Sequence, residues 1–223
     1  MPTETVENYI KAIYMQCRES PIGAAGVARL ARELSVTKGT ATSMIQRLAR
    51  AKLVSAPRYS GVTLTTTGRK MALDVLRRHR VIETFLVSVL KLDWADVHEE
   101  AERLEHAFSP QTLDALDDFL GRPSTDPHGD PIPTASGKVR AMRGKSLAAF
   151  ATDAKVEIVR IMDQDRAFLQ FVARSGLKPG ARVAIAAVNV DAESISLRQR
   201  GRKLLTLSRS AAGKILARPR PRA

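Results

Sequence analysis

Residues 121–137 hold four prolines, Pro123, Pro127, Pro131 and Pro133, with Asp and Gly among them, so neither a helix nor a central strand can run through this stretch. It parts two kinds of periodicity. Ahead of it apolar residues recur every three or four positions; Val6, Ile10, Ile13 and Cys17 form one such stripe and predict a helix over 5–17, with Asn8 off the stripe. Behind it, KVEIVRI at 155–161 alternates as a strand does, and further strands are predicted near 182–188 and 194–197, with a short helix at 167–175 and a GLKPG turn at 176–180. The chain is therefore expected to be mostly α, joined by an extended segment to a small β-barrel.

The segment 25–64 carries the most specific local pattern. Val27, Leu30, Ala31 and Leu34 predict a helix over 25–34, and Ala41, Ile45 and Leu48 another over 38–51, with a turn at 35–37 between them. Thr37 is the expected N-cap of the second helix, whose Lys38, Thr40, Thr42, Ser43, Arg47 and Arg50 lie away from its core stripe. Two β-like runs, 53–56 and 62–64, flank a hairpin tip with Arg58 and Tyr59. A helix-turn-helix followed by such a hairpin is a winged helix, whose second helix enters the DNA major groove while the wing meets phosphate. On that reading Thr37, Lys38, Gly39, Thr40, Thr42 and Ser43 face base edges, and Arg47, Arg50 and Arg58 face phosphates. The plainer alternative is a three-helix packing unit with a solvated basic face.

Charge supports a polyanionic partner. Residues 1–60 carry 9 basic and 4 acidic side chains, 61–140 carry 10 and 13, and 141–223 carry 17 and 6, giving nets of +5, −3 and +11. No basic amphipathic helix with an aromatic face appears, which favours nucleic acid over a membrane surface. No apolar run approaches the ~18 residues of a membrane span. The N-terminal MPTETVENYIKAIY has acids where a secretory signal needs bases, and the single Cys17 cannot build a disulfide framework, so a cytoplasmic location is expected. Helices predicted at 68–90, 95–108 and 109–120 have more apolar surface than one small domain needs, which points to a homodimer.

All four histidines lie in the acidic middle. In HEEAERLEH, 98–106, helical spacing puts His98, Glu102 and Glu105 on one side and His106 beside Glu102, each next to an apolar stripe position. Carboxylates at a core edge are costly unless a cation relieves them. His79 and Glu83 form an i,i+4 pair on the long helix. A solvated acidic face, which suits Asp96, Glu99 and Glu100, and a core histidine are the structural alternatives. With one thiol in the chain, donors of this kind suit Mn2+ or Fe2+ better than a structural zinc site. Enzymatic motifs fail: HEEAE has Glu102 where a zinc protease needs its second histidine, neither of the two ExxH pairs that a di-metal oxidase needs is found, and GxSxG, P-loop and GxGxxG patterns are missing. No enzyme and no small-molecule substrate are expected.

Taken together, ENYIKAIY at 7–14, LTTTGR at 64–69, RRHRVIETFL at 77–86, VHEEAERLEH at 97–106 and DPHGDPIP at 126–133 make the chain resemble, over essentially its whole length, the DtxR/MntR family of metal-dependent transcriptional repressors. The resemblance implies a winged helix-turn-helix DNA-binding domain at 1–72, a helical dimerisation and metal-binding domain with its Pro-rich linker at 73–140, a FeoA-like SH3 β-barrel at 150–217, and a disordered basic tail at 218–223. It implies a primary metal site of Asn8, Glu102, Glu105 and His106. The iron-responsive branch has Met and Cys where Asn8 and Glu102 stand, and the manganese-responsive branch has Asp and Glu, so Glu102 points to Mn2+ while Asn8 departs from both. Lys11 stands where some two-metal members have Glu. A secondary site is implied at His79, Glu83 and His98, completed by Asp163 or Asp165, or in a variant at Glu83, Asp126, His128 and Asp163. The implied function is a Mn2+-activated homodimer on a palindromic double-stranded DNA operator, repressing metal-uptake genes. An Fe2+-responsive regulator, or one answering a non-metal effector, is the alternative.

Overall fold

The computed structural model describes residues 3–58 and 60–220. The aromatic residue expected at the wing tip, Tyr59, and the tail residues 221–223 lie outside them. The chain forms two compact units: one of the chain up to His79 with Glu105–Phe108 and Pro133–Lys138, the other of Arg80–Leu104, Ser109–Ile132 and everything from Val139 on.

The first unit contains α1 (Glu4–Glu19), α2 (Val27–Glu33), α3 (Lys38–Arg50), the hairpin β1 (Val54–Ser55) and β2 (Thr63–Leu64), and the first part of α4 (Thr66–Ser88). Most of the predicted stripe positions are buried, Val6, Ile10 and Ile13 on α1, Leu30 and Ala31 on α2, and Ala41, Ile45 and Leu48 on α3, whereas Cys17, Val27 and Leu34 are half-buried. Helix α3 starts where Thr37 accepts from the Thr40 amide at 3.1 Å. The start of α4 is fixed by Thr65, whose hydroxyl donates to the Leu53 carbonyl at 3.1 Å and accepts from the Gly68 amide at 3.1 Å. A Cβ on Gly68 would stand 2.0 Å from the Leu53 carbonyl oxygen, so only glycine permits this close approach of α4 to the hairpin.

The second unit holds the remainder of α4, α5 (Val97–Leu104), α6 (Pro110–Phe119), and a sheet built from β3 (Lys145–Ser146), β4 (Lys155–Ile161), β5 (Arg182–Asn189), β6 (Ser194–Arg198), β7 (Leu205–Ser208) and β8 (Ile215–Pro219). The strands pair antiparallel in the order β3-β8-β4-β5-β6-β7, with α7 (Arg166–Arg174) after β4 and α8 (Arg209–Gly213) touching β6, β7 and β8. Leu147, Val156, Ile158, Ile161, Leu169, Ile185 and Ile215 are fully buried in its core, which also takes in Trp94 and Ala95 from the segment before α5.

Two expectations are corrected. Helix α5 stops at Leu104, not near 108, so Glu105 and His106 sit in the turn after it and not on its face. The basic end is ordered further than the expected tail at 218–223: Arg218 and Pro219 belong to β8, opposite Glu157 and Val156, and Arg218 pairs with Glu157 at 2.9 Å.

The linker is tied down by backbone. Asp126 Oδ1 accepts from the amides of His128 and Asp130 at 2.8 and 2.9 Å, closing DPHGD into a tight turn. Gly129 has φ +90°, and a Cβ there would stand 2.1 Å from the Val159 carbonyl oxygen. This contact falls at the bulge between Ile158 and Arg160, beyond which the Ile161 amide donates to the His128 carbonyl at 2.9 Å.

Candidate functional site

On α3, Lys38, Gly39, Thr40, Thr42, Ser43, Arg47 and Arg50 are all exposed, as are Thr37 and Arg58. Two hydroxyls are pre-positioned by the helix itself: Thr37 contacts Thr40 at 2.9 Å, and Thr42 donates to the Lys38 carbonyl at 2.8 Å. The predicted recognition face is thus a solvent-facing surface of small hydroxyls at the helix start and cations toward its end.

Within the same unit, α1, α4 and the turn after α5 bring polar side chains together in a largely buried cluster. His106 Nδ1 lies 2.6 Å from Glu7 Oε2, and Glu7 Oε1 accepts from Arg78 Nη2 at 2.7 Å. Glu7 thereby fixes the imidazole so that Nε2 faces Asn8 Oδ1 at 2.9 Å and Glu105 Oε1 at 3.5 Å. With Nδ1–H donated to Glu7, the Nε2 of a neutral ring is free to serve as a metal donor beside the oxygens of Asn8 and Glu105. Glu105 is fully buried; its Oε2 is 2.6 Å from His79 Nδ1 and its Oε1 is 2.6 Å from Lys11 Nζ. Asn8, Glu105 and His106, three of the four residues expected in the primary site, therefore converge. Glu102 lies in the other unit, on α5, where its carboxylate is 3.7 Å from His98 Nε2.

The second unit contains a different cluster. Glu83, Asp126 and His128 are all buried, and one donor atom of each falls within 4.8 Å of the others. His128 Nε2 donates to the Trp94 carbonyl at 2.8 Å while its ring stacks on that indole at a centroid distance of 5.0 Å. In the neutral ring this leaves the lone pair on Nδ1, which is 3.8 Å from Glu83 Oε2. Asp126 Oδ2 and His128 Nδ1 make no hydrogen bond among the described residues. Burial, reinforced by the charges of Glu83 and Asp130, pushes the Asp126 carboxyl up to about 7 against the opposing pull of Arg80 and His128. Burial pulls the His128 imidazolium down, but the Glu83 and Asp126 carboxylates prevail and raise it. Two buried carboxylates and a buried imidazole form a donor set that a divalent cation fits.

The remaining predicted ligands are used as follows. His79 is buried against Glu105, and half-exposed His98 places Nδ1 3.2 Å from Glu83 Oε1. Asp163 pairs with Lys214 and accepts from the Asp165 amide at 2.9 Å; burial opposes these contacts, yet they hold its carboxyl below the usual range. Asp165 caps α7 by accepting from the Phe168 amide at 2.9 Å. Sequence reasoning missed Glu7, Trp94, Arg80 and Asp130. Arg80 donates to the Pro131 carbonyl at 2.7 Å, and Asp130 receives Arg80 at 3.1 Å and Arg160 Nε at 3.0 Å, so the linker turn is held from two sides. Only the acid-rich DPHGDP segment signalled any of this in advance.

No helix among the described residues is long and apolar enough to cross a membrane. Residues 1–62 match the family described as the iron dependent repressor N-terminal DNA binding domain, 65–134 the iron dependent repressor metal binding and dimerisation domain, and 145–219 the FeoA domain. The chain is 30% identical to the iron-dependent repressor IdeR of Mycobacterium leprae over 82% of its own length and 84% of that protein. Among solved structures it is similar to a manganese-dependent transcriptional repressor in complex with manganese, at 35% identity and TM-score 0.87, covering 96% of this chain and 99% of that one. It is also similar to the manganese regulator SloR, at 27% identity and TM-score 0.77, covering 99% and 100%. An exposed α3 face, two buried donor clusters and three consecutive family matches agree: the chain belongs to the family of metal-dependent transcriptional repressors.

Proposed function

We propose that this chain is a Mn2+-activated, homodimeric, cytoplasmic repressor that binds a palindromic double-stranded DNA operator and controls metal-uptake genes, with no enzymatic activity. The observation that carries this reading is the fixed imidazole of His106, whose Nε2 faces Asn8 Oδ1 at 2.9 Å and Glu105 Oε1 at 3.5 Å. A divalent cation bound there would be held by Asn8, Glu105 and His106, with Glu102 as the proposed fourth ligand. Asn8 belongs to α1, so closing this cluster holds the DNA-binding segment to the turn that carries Glu105 and His106. In the dimer, that restraint selects the orientation in which two α3 helices meet successive major grooves about 34 Å apart. Thr37, Lys38, Gly39, Thr40, Thr42 and Ser43 then read base edges, and Arg47, Arg50 and Arg58 meet phosphates.

Glu83, Asp126 and His128 are the proposed core of a second metal site. Of the two arrangements that the family resemblance implies, burial of Glu83, Asp126 and His128 favours the linker form, with Asp163 as a further ligand, over the one using His79, Glu83 and His98 with Asp163 or Asp165. The oxygen and nitrogen donors favour Mn2+, and the names of the solved relatives agree. The iron-dependent repressors among the relatives support Fe2+ as the competing effector. The proposed division is 1–72 for DNA binding, 73–140 for metal binding and dimerisation, and 150–217 for the FeoA-like part.

The test starts with duplexes enriched from a random pool in Mn2+, then used in titrations at fixed salt with chelator, Mn2+ or anaerobic Fe2+. Binding that requires metal, is strongest with Mn2+ and is lost in His106→Ala is the expected result. Equal binding in chelator would overturn metal activation.

A further inference from the structure

We propose that Lys11 is a built-in cation of the first metal site, holding Glu105 to α1 when no metal is bound and competing with an entering metal for that carboxylate. This rests on the metal site assigned above to Asn8, Glu105 and His106. Lys11 follows Asn8 by three positions on α1, so both side chains rise from one face of the helix. Its ammonium lies 2.6 Å from Glu105 Oε1, with side-chain exposures of 12% for Lys11 and 0% for Glu105. The same oxygen is the one facing His106 Nε2 at 3.5 Å, so the lysine holds the carboxylate atom that the metal needs.

Charge counting in this cluster gives the same answer. Glu7 is paired with the permanent cation of Arg78, and Glu105 with that of Lys11. Both carboxylates thus have a counter-charge before any metal enters, and Asn8 adds none. A divalent ion arriving beside a retained ammonium would face a like charge at close range in a poorly hydrated site, which is strongly unfavourable. The ammonium must therefore leave Glu105 as the metal binds. Two consequences follow. The metal-free chain keeps part of the α1-to-turn tether, and half-occupancy needs more free metal than the donor atoms alone would require.

The test uses the full-length chain as wild type, Lys11→Met, which keeps the stem and removes the charge, and Lys11→Arg, which keeps the charge. Free Mn2+ is followed by electron paramagnetic resonance, and the first site is defined as the binding lost in His106→Ala. Lys11→Met should bind Mn2+ at this site about tenfold or more tightly, as expected for removing a competing unit charge, and Lys11→Arg should resemble wild type. Hydrogen exchange of metal-free protein supplies the second readout: α1 amides should exchange faster in Lys11→Met, and Mn2+ should restore their protection. Unchanged affinity, or unchanged α1 exchange, in Lys11→Met overturns the role of Lys11 while the metal site stands. If wild type shows no His106-dependent Mn2+ binding, the metal-site reading fails and this inference falls with it.

Discussion

Replacing Asp126 with Asn should stabilise the metal-free protein, and should do so only where the carboxyl would otherwise ionise. The Asp126 carboxyl moves from 3.8 to about 7, about 3 units, which at about 1.4 kcal/mol per unit makes its ionised form cost the fold about 4 kcal/mol. The sign follows from proton counting. Between 3.8 and about 7 the folded chain holds a proton that the unfolded chain has released, so stability falls as pH rises through this window and levels off above it. His128 acts in the same direction: with its folded value raised above 6.5, its contribution is full below 6.5 and is lost as pH rises through the folded value. The substitution keeps the turn, because the amide oxygen still accepts from His128 and Asp130, and it gives up the 3.6 Å approach of Arg80 Nε and the attraction of the carboxylate for the His128 imidazolium. In chelator, Asp126→Asn should gain up to about 4 kcal/mol at pH 8 and less than about 1 kcal/mol at pH 4. Trp94, the only tryptophan, stacks on His128 at 5.0 Å and reports local unfolding in urea by its fluorescence. Mn2+ should stabilise wild type at pH 8 more than the variant. A variant no more stable than wild type at pH 8, or a gain equal at both pH values, would refute the account of a carboxylate buried for a cation.

Three further outcomes follow from single contacts. Arg47→Ala should weaken binding to operator and random DNA alike and reduce the slope of log affinity against log salt by about 1, measured by fluorescence anisotropy at several salt concentrations; a change confined to base preference would contradict the phosphate assignment. Gly129→Ala should destabilise the second unit by about 3 kcal/mol or more in chemical denaturation, since its Cβ would stand 2.1 Å from the Val159 carbonyl oxygen at a φ of +90°. Glu7→Gln should lower His106-dependent Mn2+ affinity about 10- to 100-fold in a metal titration, because the group that orients the imidazole loses its charge; an affinity within about twofold of wild type would remove Glu7 from the site.

What could be read in advance was whatever a short window encodes. The stripes of α1 and α3, the Thr37 cap, the alternation of KVEIVRI and the donor types of HEEAERLEH are all properties of neighbouring residues. The end of α5 was not legible, because Leu104 and Phe108 continue the helical period past the point where Glu105 and His106 leave the helix. Nor were β7 and β8: each is short, and β8 carries Arg218 and Pro219, which look like tail until β4 supplies Glu157 and a row of backbone partners. The larger gap concerns what makes a histidine a ligand. His106 and His128 were visible as residue types, but each has its usable nitrogen selected by a distant group. Glu7 lies 99 positions from His106, and the Trp94 carbonyl lies 34 positions from His128. A glutamate in the first turn of a helix suggests only a favourable dipole interaction, and a backbone carbonyl has no sequence signature at all. Donor identity is thus local information, whereas donor direction is tertiary, and metal binding requires both.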